Sequence, residues 1–327
     1  MDRTTNSETG KMTGNVACVS TVDKEIRFRG TSGGLGSCLV RFLFEQGLIG
    51  SALSFSFDSS SLCYVPRIIY DIRDYEQVGS IYQDVNLISF VRNHVKSIRG
   101  PFFCFALGCQ VQAVKSLLSK AGVESYVVEL VCSSQQSLDA TKYLLRRLRI
   151  PFQSVRKIQY RGNGWPGGVQ IEQKNGNKSF IPNTGSVWME IFHSKLFVMP
   201  RCFMCNPKRE SGADLIIGDP WRIDSPKTET LGRSLCYVKS ERMRDILCAM
   251  RNAGLIVLEE VEEQLFFYPM QGTLRRKASA LRHQRLVRRY QRFIQSDTYK
   301  KSVCGFPGLF KLHCLVNNVF ERILNRL

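Results

Sequence analysis

The sequence predicts an α/β protein: a mixed sheet with a βαβ unit and flanking helices, followed by a basic helical C-terminal tail. Three observations carry this expectation. A short, wholly apolar run, Phe102–Leu107, and a Val-rich run, Tyr126–Val131, suit buried strands. Each precedes a helix-like segment, Val111–Ala121 and Leu138–Leu148, and the order strand–helix–strand–helix is that of a βαβ unit. Charge is concentrated at the far end: 13 Lys and Arg against 2 Asp and Glu between Gly272 and Leu327 supply +11 of the net +18. Such asymmetry points to a solvated tail or to an anionic partner.

The elements follow in order. Residues 1–24 are polar at the start and carry no apolar core of an export signal, so a disordered N-terminus and a cytoplasmic location are expected. Leu35–Gln46 reads as a helix, with Leu35, Leu39, Phe42 and Leu43 on one face and Gly47 past its end. Ser51–Phe57 alternates as a strand. Val155–Tyr160 and Val169–Gln173 read as further strands, and Asn175-Gly176 is a hairpin turn leading to Ser179–Ile181. Residues 200–222 hold Pro200, Pro207, Gly212, Gly218 and Pro220 and read as loop. Thr273–Arg292 reads as one helix of ~30 Å. Leu309, Leu312, Val316, Val319, Phe320, Ile323 and Leu327 form an apolar stripe, expected to pack on the body, with peripheral contact to the inner membrane face as the alternative. No apolar run reaches the ~18 residues of a membrane span.

Twelve cysteines in a chain expected in a reducing compartment read as buried thiols or metal ligands, not disulfides. Cys202-Phe-Met-Cys205 is the one C-x-x-C. Cys109 and Cys132 follow the two apolar strands, which places them at the carboxyl edge where open α/β sheets collect ligands. Spacing leaves a zinc site, an iron–sulfur site and unliganded thiols all open. Thr31-Ser32-Gly33-Gly34 opens a helix, as a phosphate cradle does and as a plain turn does. Arg161, Asn163, Gly164, Trp165 and Gly167 make a compact turn that could hold a phosphate or a ring, or only itself. The four histidines lie far apart, and no P-loop, H-E-x-x-H or G-x-S-x-G occurs. No nucleic-acid motif accompanies the basic tail, so specific nucleic-acid binding is not expected.

An ordered set of elements resembles the coenzyme F420 hydrogenase/dehydrogenase β-subunit family. Arg29-Gly-Thr-Ser-Gly-Gly34 resembles its "SSGG" loop, Gly79-Ser-Ile-Tyr82 its "GSKY", and Leu107-Gly-Cys-Gln-Val111 its "GTPCQI". Val131-Cys132 with Ser137 resembles its "CHGxPS", and Tyr160-Arg-Gly-Asn-Gly-Trp-Pro-Gly167 its "RGxGWPG". Cys202, Cys205, Ala213-Asp214 and Gly218-Asp-Pro-Trp221 resemble "CxxC…AD…GDPW", and Gly232-Arg-Ser-Leu235 resembles "GxSLV".

The resemblance implies an iron–sulfur flavoprotein oxidoreductase. Residues 25–100 would be the N-terminal flavin-binding part of its core, 101–271 the C-terminal core with the cluster cysteines, and 272–327 the basic tail. It implies a 4Fe-4S cluster on Cys109, Cys132, Cys202 and Cys205, and FAD (or FMN) near Thr31, Ser32, Gly33, Gly34, Gly79, Ser80, Tyr82, Arg161, Asn163, Gly164 and Trp165. Coenzyme F420 or an organic hydride donor would be the substrate, and a ferredoxin or another redox partner the electron exchanger. Departures qualify this. Ile81 stands for the Lys of "GSKY", Gly108 for the Pro before the first cysteine, and Ser133-Ser134 for the His-Gly after Cys132. Only Cys18 lies where many relatives carry ferredoxin-like clusters. These departures motivate the alternative of a retooled accessory in polysaccharide biosynthesis without F420 chemistry.

Overall fold

The computed structural model describes residues 12–206 and 210–326. The chain opens with β1 (Val16–Thr21), α1 (Lys24–Arg29), α2 (Leu35–Glu45) and the hairpin β2 (Ser51–Asp58) and β3 (Cys63–Ile69). α3 (Leu87–His94) leads into β4 (Phe102–Leu107), α4 (Gly108–Lys120), β5 (Ser125–Leu130) and α5 (Leu138–Arg147). A meander of β6 (Val155–Gln159), β7 (Gly168–Gln173) and β8 (Lys178–Pro182) precedes α6 (Val187–His193). β9 (Leu215–Gly218), β10 (Ser234–Val238), α7 (Glu241–Asn252) and β11 (Ile256–Glu260) follow. The tail is α8 (Gln271–Arg282), α9 (Gln284–Ile294), α10 (Asp297–Gly305) and α11 (Pro307–Arg326).

The main sheet runs β11-β1-β10-β9-β5-β4-β2-β3. Its centre, β2, β4, β5 and β9, is parallel, and antiparallel strands flank it on both sides. β4 explains why both faces are covered. Successive side chains leave a strand on opposite sides. Phe103 therefore packs with Leu35, Leu39 and Leu43 of α2 and Leu247 of α7, while Phe102 and Cys104 pack with Val91 of α3 and Val111 and Leu118 of α4. Each such fully buried side chain contributes roughly 1.5–3 kcal/mol, so a run of apolar residues with no polar alternate is what this position selects. The α/β class and the βαβ unit β4-α4-β5-α5 are as the sequence predicts. The second sheet, β6-β7-β8, closes its hairpin at Asn175-Gly176 and packs with α5, α6 and the tail in a separate core.

Three expectations are corrected. Residues 12–24 are not a structureless start: β1 is entirely buried between β10 and β11, because its run VACVST gains two ladders at once; residues 1–11 lie outside the described residues. The 200–222 loop contains β9, a parallel strand whose four residues pair with β5 and β10. The single helix expected over Thr273–Arg292 is broken at His283, whose backbone (φ −109°, ψ 41°) leaves the helical region.

α11 is held against the second core by Phe310, which is fully buried with its ring 4.9 Å from that of Tyr143. One turn on, His313 is buried between two partners. Its Nε2 lies 2.8 Å from the Ser194 carbonyl, which can only accept, so Nε2 carries the proton. Nδ1 is then free to accept from the Tyr299 hydroxyl at 3.0 Å. Burial, set against the Ser194 hydrogen bond, holds the His313 pKa below its ordinary 6.5. The unfolded chain therefore binds a proton below pH 6.5 that the folded chain refuses, and stability present above that pH is lost as pH falls through it. We expect the melting temperature to drop on acidification below 6.5, and His313→Leu to flatten that dependence. An unchanged acid limb in the variant contradicts this protonation state.

Candidate functional site

The carboxyl ends of the parallel strands open into a cleft of about 220 Å³. That is below the roughly 300–1,000 Å³ of enclosed ligand pockets, so it suits a flat group that stays partly in solvent. Its floor is Leu107, Leu130, Val131, Ile217 and Gly218 from the ends of β4, β5 and β9. One wall is the 30–37 segment opening α2, and the other is the 75–81 loop.

The two walls are sewn together by their polar residues. Thr31 Oγ1 accepts from the Ser80 N–H at 2.7 Å and meets Ser80 Oγ at 3.1 Å. Gly79 sits at φ 66°, where an L side chain is strained, and a Cβ there would stand tightly at 3.1 Å from the Arg161 carbonyl and 3.2 Å from Thr31 Oγ1. Ser32 Oγ pairs with Ser234 Oγ at 3.1 Å. Thr31, Ser32, Gly34, Gly79 and Ser80 all line the cleft. Gly33 does not. A Cβ on it would fall 2.3 Å from the Val19 carbonyl and 2.6 Å from the Ser234 nitrogen, so glycine is required there by backbone packing against β1 and β10.

Arg161 lies behind this wall. Its buried guanidinium donates through Nη2 to the Thr31 carbonyl at 2.9 Å and through Nη1 to Asp219 Oδ2 at 2.9 Å and Tyr82 OH at 3.3 Å. Burial alone would lower its pKa, but the Asp219 carboxylate and the Tyr82 oxygen outweigh it and the net shift is upward, so it stays charged. Trp221 Nε1 donates to the same Asp219 oxygen at 3.1 Å, and the Trp221 and Trp165 rings stand 4.9 Å apart. Gly164 N–H and Trp165 N–H donate to the Phe28 and Thr230 carbonyls. Tyr82 packs among Tyr160, Trp188 and Phe192. Thus Arg161, Asn163, Gly164, Trp165 and Tyr82 are not part of the cleft lining. They form a latch that clamps the 28–31 and 219–221 segments, and Arg161 is neutralised by Asp219 rather than offered to a ligand.

The four cysteines singled out by spacing come together at the same strand ends. Cys109 begins α4 straight after β4, Cys132 follows β5, and Cys202 and Cys205 lie on and just after a 3-10 turn over Pro200–Met204. Arg201, hydrogen-bonded to Asp84, pins that turn. The thiols lie within electrostatic reach of one another. Burial pushes Cys132 up to about 12; Lys277 opposes this, while Cys202, Cys109 and Cys205 add to it. Desolvation first, then Cys205 and Cys202, raise Cys109. Cys202 is raised by burial and eased by the Gln135 N–H and Arg201. Among the described residues, no three His, Cys, Asp or Glu side chains already stand as a metal site; the thiols are gathered but not closed on a single ion.

Cleft and cysteines share residues. Gln135 lines the cleft, and its N–H donates to Cys202 Sγ at 3.5 Å. Gln110, next to Cys109, and Val131, next to Cys132, also line it. The tail closes the other side: Lys277 Nζ donates to the Cys132 carbonyl at 2.8 Å, and Lys195, Arg276 and Glu321 group beside Cys202. Desolvation and Arg276 bring Lys195 down to about 8 despite Glu321. The sequence reading did not single out Gln110, Gln135, Ser54, Tyr75 or Phe105. Gln110 sits inside the motif read for Cys109 and was in plain sight, whereas Gln135 falls at the variable position of the motif read for Cys132. The four histidines play no part here. The Arg161–Asp219 pair has side chains only 3% and 15% exposed. Asp219→Asn should therefore leave a buried charge unpaired and cost roughly 3–5 kcal/mol of stability, read as the shift in a denaturant midpoint. A change under about 1 kcal/mol contradicts the latch.

A family model for the C terminus of the coenzyme F420 hydrogenase/dehydrogenase beta subunit matches residues 102–264. Comparison with curated proteins gives no match. Among solved structures, a chain of the F420-reducing [NiFe] hydrogenase complex from Methanosarcina barkeri is similar in fold, with a TM-score of 0.62 at 17% identity over 84% of this chain and 92% of that one. Among the described residues no helix is long and apolar enough to cross a membrane. The matched stretch spans β4 to β11 and holds all four gathered cysteines, and over it this chain belongs to the coenzyme F420 hydrogenase/dehydrogenase β-subunit family.

Proposed function

We propose that the chain is an oxidoreductase subunit that passes electrons between a flavin in the cleft and a 4Fe-4S cluster on Cys109, Cys132, Cys202 and Cys205. The family sets the reaction class as redox. The observation that carries the finer reading is adjacency: Gln135 lines the cleft and hydrogen-bonds Cys202 Sγ. A group in the cleft and a group on the thiols would be separated by little more than one side chain. The donor set fits, since four thiolates are the ligands of such clusters. FAD is the flavin favoured by the family, with FMN as the alternative, and coenzyme F420 or another hydride carrier is the substrate class.

A flavin supplies exchange between two-electron and one-electron chemistry, and a cluster supplies single-electron storage. The chain's own residues do the rest. Thr31, Ser32 and Ser80 offer hydroxyl and backbone groups beside the N-terminus of α2, where an anion is favoured. Phe105 and Leu107 keep one wall apolar. Ile81, in place of a lysine, leaves the 75–81 loop without a cation, and Arg161 does not replace it because Asp219 holds its charge. Lys277 brings positive charge to the thiolates. A ferredoxin or a partner subunit would exchange the electrons.

Purified without oxygen, the protein should be brown and carry flavin, with about four irons and four sulfides per chain. Cys202→Ser should lose most of the iron while keeping flavin. A colourless wild-type protein free of both rejects the proposal and leaves the accessory role without F420 chemistry.

A further inference from the structure

α11 presents its more apolar side to solvent. At ~100° per residue, Phe310, His313, Asn317, Phe320 and Leu324 share one face, and Leu309, Leu312, Leu315, Val316, Val319 and Ile323 share the other. The first face is the one that docks: Phe310, His313, Asn317 and Leu324 are buried. The six aliphatic residues of the second face are 42–63% exposed. Of the stripe that the sequence marks for packing, Leu309, Leu312, Val316, Val319 and Ile323 therefore point outward, Phe320 stacks on Tyr290 with ring centroids 3.8 Å apart, and Leu327 lies outside the described residues.

Polar groups fix this orientation. His313 is held by Ser194 and Tyr299. Asn317 Oδ1 accepts from Tyr290 OH at 2.9 Å, and its Nδ2 donates to the His193 carbonyl at 3.1 Å. Turning the helix to bury the aliphatic row would break four hydrogen bonds, one buried and three partly buried, and a buried group left unsatisfied costs about 1–3 kcal/mol. Phe293 and Phe306, on either side of α10, are 59% and 65% exposed and enlarge the apolar surface. Lys311, Arg322 and Arg326 fall along the border of the row at the same helical spacing. The acid of this helix, Glu321, is turned inward to Lys195 and Arg276.

We propose that the outer face of α11 docks on an anionic lipid surface, the helix lying in the interfacial plane. The row from Leu309 to Ile323 is ~21 Å long, on one face of a single helix that can lie along a plane. Aliphatic side chains entering the interface with Lys and Arg at their flank is the pattern of an interfacial helix. The charge of the tail selects the occupant. A second copy brings the same +11 and is repelled, whereas an anionic headgroup layer complements it.

The test is flotation of the full chain with vesicles of phosphatidylcholine alone or with about one third phosphatidylglycerol, at low and high salt. The protein should float with the anionic vesicles only, and salt should reduce the floating fraction. Leu312→Glu with Val319→Glu should lower partitioning on the order of tenfold or more with the melting temperature unchanged, because both sites are exposed. Lys311→Glu with Arg322→Glu should remove most of the salt-sensitive part. The proposal is overturned if the wild type does not float with anionic vesicles, if the glutamate variants float equally well, or if light scattering finds a dimer that the same variants split. None of these readouts depends on a bound cofactor.

Discussion

A single buried cation organises this site. The Arg161 guanidinium joins the carbonyl of Thr31, the carboxylate of Asp219 and the hydroxyl of Tyr82. Those groups come from the loop that opens α2, from the end of β9 and from the 75–83 segment. Nothing in local sequence would bring the three together; a charge that cannot be buried alone does. The cleft walls follow from it, and the arginine itself stays outside the cleft lining.

The second constraint is the parallel centre of the sheet. Parallel neighbours end on the same side, so β4, β5 and β9 deliver Cys109, Cys132 and Asp219 to one edge. The Cys202–Cys205 turn then has to reach that edge, and Arg201 with Asp84, the Gln135 N–H and the α8 contact hold it there. The tail adds to the same place: Lys277 reaches back to Cys132 from outside the 102–264 stretch that matches the family model. The basic segment is thus partly inward-facing, and only its outer residues are free to meet a partner.

The parts visible in the sequence are those whose signal is local. β4 announces itself as a six-residue apolar run and β5 as a short Val-rich one, and Asn175-Gly176 marks its own hairpin. β9 does not, because the four residues Leu215–Gly218 carry no period of their own; pairing with β5 and β10 makes them a strand. β1 is hidden for the same reason. In α11 the 3.6 period is plain, but a period does not say which side faces in. Buried His313 and Asn317 decide that, through partners more than 100 residues away. At the site, motif likeness reaches Thr31, Ser32, Gly79, Ser80 and the cysteines. It also draws in Gly33 and the Arg161–Trp165 turn, which lie outside the cleft lining.

The central claim is that four thiols remote in the chain converge beside one cleft, and a short bifunctional thiol reagent tests it directly. Treated with dibromobimane after metal removal and digested, the protein should yield bridged peptides joining Cys109 or Cys132 to Cys202 or Cys205. Bridges confined to Cys202 and Cys205 alone would contradict the account.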